Sequence, residues 1–518
     1  MILVSTLDTS NLIHKVVRKI RSFCAIKGVL LEPFFLMYDV IVVGAGVVGP
    51  CIATVMARQG RKVLIAEREW AKPNRIVGEL LQPAGVKALK QLGMIGAINN
   101  IDAIQVDGYY ISYNGCHVEI KYPDKSVLPD IDTEPVPGAL KLGNEDKLYT
   151  DSTLNMSEWD STPTVHGVAF HHGDFLMNLR GLCLAEPNVT KVEGNVTELI
   201  REDGRVVGVK VAGKDEYRAK LVICCDGIYS KFRKELYKDR QPDVASYFVG
   251  LDLEDAELPL KNHGHVILGK HAPILVYQIS PRHTRILCAY RGAQLPKQKE
   301  VLEYLRSQVL ISLPEKLKPS FEKALSAEQN VYKSMPNQYL TAKPNTIPGL
   351  IYVGDSLNMR HPLTGGGMTV GLNDAVLLCK LLAPLSSEEF LDEGVMLEKM
   401  LTFHGERKPL DAVINTLSIA LYTLFAAESK YLELLQRGCF AYFLCGGDCI
   451  SGPVGLLSGM LQSPGLLFYH FFRVAFYSCY LNFCDKGFLR SPLALWENIC
   501  TLSIAACVLL PYLIKELM

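Results

Sequence analysis

An α/β fold with a Rossmann-type first domain is predicted by three observations on this 518-residue sequence. Near residue 38, an apolar strand, a glycine-rich turn and a helical segment follow one another in "YDVIVVGAGVVGPCIATVMARQG". In the middle of the chain, "HGHVILG", "APILVYQIS" and "TRILCAYRG" alternate like the strands of one sheet. The last third contains long apolar and aromatic segments. We therefore predict a dinucleotide-binding domain, a β-sheet substrate domain and a C-terminal helical membrane-associated region.

The turn "GAGVVG" carries the glycines of a dinucleotide-binding fingerprint, Gly44, Gly46 and Gly49. Gly44 permits a tight turn, Gly46 lets the backbone approach a pyrophosphate, and Gly49 lets the helix pack closely on the strand. Glu67 ends the second predicted strand, 18 residues after Gly49, where a carboxylate can bind ribose hydroxyls. Because the strand, the helix and the acid accompany the glycines, we predict a bound dinucleotide.

A second glycine-rich turn lies in "GDSLNMRHPLTGGGMTVGLNDA", residues 354 to 375. Three consecutive glycines open a segment with helical spacing, so a ligand can approach backbone N–H groups that have no partner inside the helix. Asp355 follows the apolar run "GLIYVG" and would offer its carboxylate to hydroxyl groups at the end of a strand. The alternative is a glycine-rich helix start that serves close packing only.

Composition excludes several classes of function. The formal charge of zero and the 49% hydrophobic content argue against a nucleic-acid-binding protein and against a disordered chain. The fifteen cysteines include no CxxC pair and no histidine-flanked cluster, so we predict no metal site. We interpret them as mostly buried thiols in a reducing compartment.

Both ends of the chain carry segments that suit a membrane surface. Residues 12–23, "LIHKVVRKIRSF", form either a basic amphipathic helix on an anionic membrane or a solvated basic tail. Residues 465–484 and 494–514 are each long enough to cross a bilayer. An arginine inside the first run is costly there, so we favour a hairpin embedded in one leaflet over two crossings. The remaining alternative is a buried helical pair in a soluble domain.

Three motifs, taken in order, resemble the signatures of the FAD-dependent aromatic-hydroxylase-like monooxygenases: "GAGVVG" with Glu67, then Asp226-Gly227, then Gly354-Asp355. The segments "NRIVGELLQP", "FHHGDF", "DGIYSKFRK", "SMPNQYL" and above all "NMRHPLTGGGMTV" resemble the squalene monooxygenase, or squalene epoxidase, family. The resemblance runs from about residue 38 to the C-terminus. Two departures are Ala84, where a glycine is expected, and a polar acidic insertion at residues 126–160.

The resemblance implies FAD as the cofactor, held by residues of the three motifs and of the segments around them. These residues are Gly44, Gly46, Val47, Val48, Gly49, Glu67, Arg68, Arg75, Arg180, Val196, Asp226, Gly354, Asp355, Pro362, Gly365, Gly366, Gly367 and Met368. It also implies that Tyr109 is an active-site tyrosine beside the flavin, where its phenol could orient a glutamine or the flavin edge. The alternative for Tyr109 is an ordinary strand aromatic.

An apolar helical stripe is a candidate wall of the substrate channel, or else plain core, because any amphipathic helix shows this spacing. Its members are Leu417, Leu421, Leu424 and Phe425.

The resemblance implies epoxidation of squalene by O2 to (S)-2,3-oxidosqualene in sterol biosynthesis, through a flavin C4a-hydroperoxide. It implies NADPH–cytochrome P450 reductase as electron donor and membrane lipid as a partner. The implied location is the endoplasmic reticulum membrane, with the catalytic domain facing the cytosol, and also microsomes and lipid droplets. Two alternatives stay open: a flavin monooxygenase or reductase acting on another apolar or prenyl substrate, and a non-catalytic FAD-binding membrane scaffold.

The domain bounds that we predict divide the chain into four parts. They are an N-terminal tail at 1–37; an FAD-binding domain from 38–107, 165–235 and 341–395; a substrate domain from 108–164 and 236–340; and a helical membrane-associated region at 396–518.

Overall fold

A computed structural model of the chain describes residues 37–129, 132–140, 159, 161–238, 240–269, 271–326, 332–487 and 491–518. The basic segment 12–23 lies outside the described residues, and so does most of the acidic insertion 126–160.

The strands of the described residues fall into three sheets. They are β1 (Met37–Val43), β2 (Val63–Glu67), β3 (Leu80–Leu81), β4 (Ile104–Val106), β5 (Gly108–Tyr113), β6 (Cys116–Lys121), β7 (Gly167–Ala169), β8 (Val189–Glu193), β9 (Val196–Glu202), β10 (Arg205–Val211), β11 (Glu216–Cys224), β12 (Asp243–Glu254), β13 (His263–Leu268), β14 (Ile274–Gln278), β15 (His283–Arg291), β16 (Lys333–Tyr339) and β17 (Leu350–Tyr352).

The helices cover these sheets and make up the last quarter of the chain. They are α1 (Val48–Arg58), α2 (Pro83–Gln91), α3 (His172–Leu184), α4 (Arg233–Leu236), α5 (Gln298–Tyr304), α6 (Leu310–Ser312), α7 (Lys318–Leu325), α8 (Gly366–Leu382), α9 (Glu393–Ala426), α10 (Lys430–Leu444), α11 (Asp448–Leu457), α12 (Pro464–Lys486) and α13 (Ser491–Leu517).

The first sheet is Rossmann-type, as predicted. Its order is β8-β2-β1-β11-β10-β9, with β17 paired to β11, and the pairs β1–β2, β2–β8 and β11–β17 are parallel. Val40, Ile41 and Val42 are fully buried in β1, as expected for a parallel strand covered on both faces. All of its strands lie within the segments predicted for the FAD-binding domain, apart from the first residue of β1. The domain bounds themselves stay a prediction.

The second sheet is mostly antiparallel and has the order β16-β12-β15-β14-β13-β5-β6. The three segments predicted to be its strands form β13, β14 and β15. Because side chains alternate along a strand, Ile274 and Val276 pack on one face against α5 and α7, whereas Leu275 and Tyr277 pack on the other. The third sheet, β3-β7-β4, is small.

Part of the segment predicted for the substrate domain packs elsewhere. Val136 and Ala139 are buried in the core of the Rossmann-type sheet, and the Gln59 side chain at the end of α1 donates to the Pro137 carbonyl at 2.8 Å. Residues 132–139 therefore form a strap across the dinucleotide-binding part of the protein.

The C-terminal helices share one core with the second sheet. Leu467, Phe471 and Val474 of α12 and Leu509 of α13 are buried in this core, together with residues of β5 and β14. By length and composition, two described helices could cross a membrane, namely α9 and Pro492–Leu517 of α13. In the most apolar stretch of each helix, 78% of the residues of α9 are buried and 28% of those of α13. α9 is thus an internal helix, whereas most of α13 lies at the protein surface.

The outer face of α12 and α13 is aromatic. Phe476, Tyr480 and Trp496 are each about 60% exposed, at 60%, 61% and 62%. Exposed aromatic side chains of this kind are typical of a protein that associates with a membrane.

Candidate functional site

A cavity of about 660 Å³ lies between the Rossmann-type sheet and the second sheet. The residues predicted to bind the cofactor line it, except Gly49 and Gly366. Tyr109 also lines it. The structure therefore brings together the three motifs, which lie far apart in the sequence, around a single space.

The glycines of the first turn serve different purposes. A Cβ at Gly44, whose φ is 101°, would lie 2.5 Å from the carbonyl oxygen of Cys225. A Cβ at Gly49 would lie 2.0 Å from the carbonyl oxygen of Gly44, so Gly49 permits close packing of helix on strand and does not face the cavity. At Gly46 a Cβ would meet open space, which leaves room for a ligand against the backbone.

Glu67 and Arg180 hold the first turn in place. The N–H of Ala45 donates to Glu67 Oε2 at 2.7 Å, and Arg180 Nε donates to the Ala45 carbonyl at 2.9 Å. Arg180 also lies over the Trp70 ring, 5.3 Å from its centroid. Both side chains line the cavity, yet the contacts of Arg180 fix the backbone of the turn, which is a function that the sequence did not indicate.

Arg233 ties the second motif to the third. Its guanidinium donates to the carbonyls of Gly227 at 2.7 Å and of Asp355 at 2.9 Å. Burial raises the pKa of both Asp226 and Asp355, and Arg233 opposes this effect at each. Asp226 Oδ1 is buried and accepts no hydrogen bond within the described part of the chain. An acceptor of this kind, at the wall of a cavity, fits a ligand that carries hydroxyl or N–H donors.

The triple glycine forms the entry to α8, as predicted, but its members differ. Gly365 is left-handed, with φ 63°, between the short helix Pro362–Thr364 and α8. A Cβ at Gly366 would lie 2.3 Å from Ile414 Cγ2 of α9, so Gly366 faces the protein interior, not the cavity. A Cβ at Gly367 would meet open space. Gly366 thus satisfies packing, and Gly367 leaves room for a ligand.

His361 fixes the turn that precedes these glycines. Its Nδ1 accepts from the N–H of Leu363 at 3.2 Å, so the proton is on Nε2, which lies 3.1 Å from Ser246 Oγ. The ring stacks on Tyr422, with centroids 4.1 Å apart. Burial lowers the pKa of His361 to about 3, so the ring is neutral at physiological pH.

Tyr109 is connected to the triple-glycine turn through a glutamine. Gln82 Nε2 donates to the Tyr109 hydroxyl at 2.5 Å and to the Thr364 carbonyl at 2.6 Å, and the Tyr122 hydroxyl donates to Gln82 Oε1 at 2.6 Å. Burial raises the pKa of Tyr109, so its phenol stays protonated. The predicted contact between Tyr109 and a glutamine is present, and Tyr109 remains a candidate for the reaction site.

The four predicted channel residues on α9 do not line this cavity. Leu417, Leu424 and Phe425 are buried in the core between the second sheet and the C-terminal helices, and Leu421 packs against it. The apolar wall comes instead from other residues, which the sequence analysis did not single out: Leu80, Val266, Leu275, Tyr277, Leu287 and Leu363. The alternation within β14 was the only sequence signal that could have identified two of them.

Arg360 is a further residue that the sequence analysis did not single out. It lines the cavity, and its guanidinium donates to the Gly367 carbonyl at 3.1 Å and to Asn415 Oδ1 at 2.7 Å. It thereby joins the start of α8 to α9.

Comparison with known proteins agrees with this arrangement. The family model described as squalene epoxidase matches residues 218–496. The chain is 55% identical over 492 residues to squalene epoxidase from Candida albicans, covering 93% of this chain and 99% of that protein. It is 51% identical over 486 residues to squalene epoxidase from Saccharomyces cerevisiae, covering 93% and 96%.

A solved structure with the same fold is the flavin-dependent brominase Bmp2, with a TM-score of 0.61 at 13% identity, covering 85% of this chain and 99% of that one. At this identity the likeness concerns the fold.

Proposed function

The chain belongs to the squalene epoxidase family, and on that premise we propose that it converts squalene and O2 to (S)-2,3-oxidosqualene in sterol biosynthesis. The observation that carries the proposal is the shared cavity, which has the three cofactor motifs on one side and an apolar wall from the second sheet on the other. One oxygen atom of O2 enters the alkene and the other leaves as water, with two electrons supplied by NADPH and two protons supplied by NADPH and the solvent together.

The residues of the cavity fit FAD as the cofactor. Gly46 and Gly367 leave open space where a side chain would otherwise stand, and Asp226 has a buried acceptor available. Glu67 suits the ribose hydroxyls, Arg68 and Arg75 suit the pyrophosphate, and Asp355 suits the ribityl chain. When bound, FAD supplies the reduction of O2 and the transfer of one oxygen atom to an alkene.

The N-terminal end of α8 can stabilise negative charge on a ligand in the cavity. The first N–H groups of a helix have no partner inside it, and the helix dipole favours negative charge at this end. Gly365 and Gly367 line the cavity, and a Cβ at Gly367 would meet open space, so this end of α8 is open to the cavity. With FAD bound, this end of α8 would stabilise negative charge on the cofactor.

Gln82 and Tyr109 position this same turn from the other side. Because Gln82 holds both the Tyr109 phenol and the Thr364 carbonyl, it links a wall of the cavity to the backbone just before Gly365. The phenol is protonated and can donate one hydrogen bond toward the cavity.

The apolar wall keeps water out and holds a hydrocarbon. Squalene carries no polar atom, so it gains free energy from burying apolar surface, about 25 cal/mol per Å². Excluding water also protects the reactive oxygen from non-productive release. No catalytic base among the protein residues is needed for oxygen transfer to the alkene.

We further propose that the protein acts at the endoplasmic reticulum membrane, with its catalytic part facing the cytosol, and that it also occurs in microsomes and lipid droplets. The exposed aromatic face of α12 and α13 supports contact with membrane lipid. The fourteen cysteines in the described residues are free thiols, which agrees with a reducing compartment.

The test uses purified full-length protein in phospholipid vesicles with FAD, O2, NADPH, NADPH–cytochrome P450 reductase and labelled squalene. The expected product is the 2,3-epoxide, formed with one NADPH consumed per epoxide. A yellow, folded protein that forms no product would indicate a non-catalytic FAD-binding protein. Saturation of a squalene double bond, or oxidation only of other substrates, would indicate a different flavin enzyme.

A further inference from the structure

The end of the last helix, α13, is buried inside the catalytic part of the protein. Glu516 has no exposed surface, whereas Lys515 and Leu517 on either side of it are exposed. The Tyr339 hydroxyl at the end of β16 donates to Glu516 Oε1 at 2.8 Å. Lys408 Nζ of α9 donates to the Glu516 carbonyl oxygen at 2.5 Å. A helix with an aromatic outer face therefore ends in a specific polar contact with two other elements.

Glu516 belongs to a buried cluster of charged side chains. Arg407 Nη2 pairs with Asp374 of α8 at 2.8 Å, and Arg407 also pairs with Asp411 one turn further along α9. Each of these side chains is almost fully buried, so the cluster depends on every partner being present.

The cluster reaches the cofactor turn through Asn415 and Arg360. The Asn415 side chain is a neighbour of the Glu516 carboxyl group, whose Oε2 is buried and accepts no hydrogen bond within the described part of the chain. Asn415 Oδ1 accepts from Arg360 Nε at 2.7 Å. Arg360 in turn donates to the Gly367 carbonyl at 3.1 Å and lines the cavity. A set of neighbouring buried side chains thus runs from Glu516 through Asn415 and Arg360 to the first turn of α8.

The charge state of Glu516 is compatible with this arrangement. Burial and the neighbouring Asp411 raise the pKa of Glu516 to about 7, against the opposing effects of Tyr339, Asn415 and Lys408. Burial likewise raises the pKa of Asp411 to about 6, opposed by Arg407, Lys408 and Arg360, while Asp374 adds to the rise. A neutral side chain of the same size at position 516 should therefore be tolerated.

We propose that Glu516 is a positioning residue for the FAD site, which it supports through Asn415 and Arg360 while it fastens the end of the membrane-associated hairpin to the catalytic part. The inference rests on the proposed function, because it requires FAD in the cavity. According to this proposal, FAD binds tightly only when the end of α13 is docked on β16 and α9. This function of α13 is additional to its contact with lipid.

The test measures FAD binding by fluorescence quenching and the visible spectrum of the bound flavin in Glu516→Ala, Glu516→Gln and the matched control Lys515→Ala. Far-UV circular dichroism and vesicle pelleting accompany each variant. We expect Glu516→Ala to raise the FAD dissociation constant at least tenfold and to shift the flavin spectrum, with vesicle binding unchanged. Glu516→Gln should restore both readouts to within threefold of wild type, because it keeps the acceptor and the volume. Lys515→Ala should match the wild type.

A folded Glu516→Ala protein with wild-type FAD affinity and spectrum overturns the inference and leaves the proposed function intact. Failure of the wild-type protein to bind FAD overturns the proposed function itself. If Glu516→Ala does not fold, Tyr339→Phe decides, because it removes only the hydroxyl donor to Glu516. The inference then requires at least a threefold weaker FAD complex with an unchanged far-UV spectrum, and wild-type affinity in Tyr339→Phe contradicts it.

Discussion

Asp355 and the two glycines at the start of α8 show how single residues define the cofactor site. Asp355 stands three residues after the end of β17, where its backbone carbonyl accepts a hydrogen bond from Arg233. Gly366 and Gly367 are adjacent in the sequence, yet one faces Ile414 and the other faces open space. Substitutions at these positions therefore separate cofactor binding from packing.

Asp355→Ala should yield folded protein that has largely lost FAD. Hydrogen bonds to a charged group contribute about 1.5–3 kcal/mol, so the FAD dissociation constant should rise by roughly 10- to 100-fold. Flavin content after gel filtration and titration by fluorescence measure the change, with the exposed Asp255→Ala as control. Stoichiometric flavin in Asp355→Ala would contradict our interpretation of the third motif.

Gly366→Val and Gly367→Val should fail in different ways. Gly366→Val overpacks the contact with Ile414 and should lower the free energy of unfolding by about 1–3 kcal/mol. The second change Ile414→Ala should recover part of this loss. Gly367→Val should unfold like the wild type but should not bind FAD, because its side chain enters the cavity. Thermal unfolding and flavin content check both outcomes, and normal FAD binding by Gly367→Val would mean that this glycine serves packing only.

At the scale of elements, α12 and α13 have two different faces. The inner faces belong to the core shared with the second sheet, and the outer faces present aromatic side chains. Deleting residues 465–518 would therefore uncover that core as well as remove the membrane contact, so substitutions on the outer face are the cleaner test of membrane binding.

The triple variant Phe476→Ser, Tyr480→Ser and Trp496→Ser should detach the folded protein from vesicles. Burying one large apolar side chain contributes about 1.5–3 kcal/mol, so three losses should weaken the partition coefficient at least hundredfold. Vesicle sedimentation measures this, with FAD content as the measure of folding. The control is Ile311→Ser, which removes an equally exposed apolar side chain, 70% accessible, from a different part of the protein. Unchanged sedimentation of the triple variant would place the membrane contact elsewhere.

For the whole molecule, a buried ion pair joins Glu79, the residue before β3, to Arg285 of β15 in the second sheet. Arg285 Nε and Nη2 donate to the two carboxylate oxygens of Glu79 at 2.7 and 3.0 Å, and Glu79 is 1% exposed. Burial raises the pKa of Glu79, and Arg285 opposes that rise. The pair therefore holds two walls of the cavity together only while both partners are present.

Arg285→Ala should lower the free energy of unfolding by about 3–5 kcal/mol, because it leaves the Glu79 carboxylate buried without its partner. The matched control is Arg282→Ala, which breaks the exposed pair between Arg282 and Asp255 and should change the free energy of unfolding much less. Urea denaturation of the two variants gives the comparison. If both variants lowered the free energy of unfolding equally, burial would not determine how much the Arg285–Glu79 pair contributes to stability.

The supply of electrons also concerns the whole molecule. The proposed function includes NADPH–cytochrome P450 reductase as the electron donor, so we expect the protein to depend on this reductase in the same membrane. Epoxide formation with NADPH alone should be slow, and added reductase should raise the rate at least tenfold, about 1.4 kcal/mol in barrier. Rapid bleaching of the flavin by NADPH alone, followed by epoxide formation at the same rate, would contradict this expectation.

The amino-acid sequence by itself determined the Rossmann-type unit, the three cofactor motifs, the strands of the second sheet and the two C-terminal apolar helices. These features have local causes: glycine spacing, apolar periodicity and the residues at strand ends. Only the tertiary structure decided that Gly366 faces Ile414, that Arg180 holds the Ala45 carbonyl, and that Glu516 meets Tyr339, 177 residues away. Such contacts depend on how elements pack in space, and no periodicity within one element encodes its partner in another.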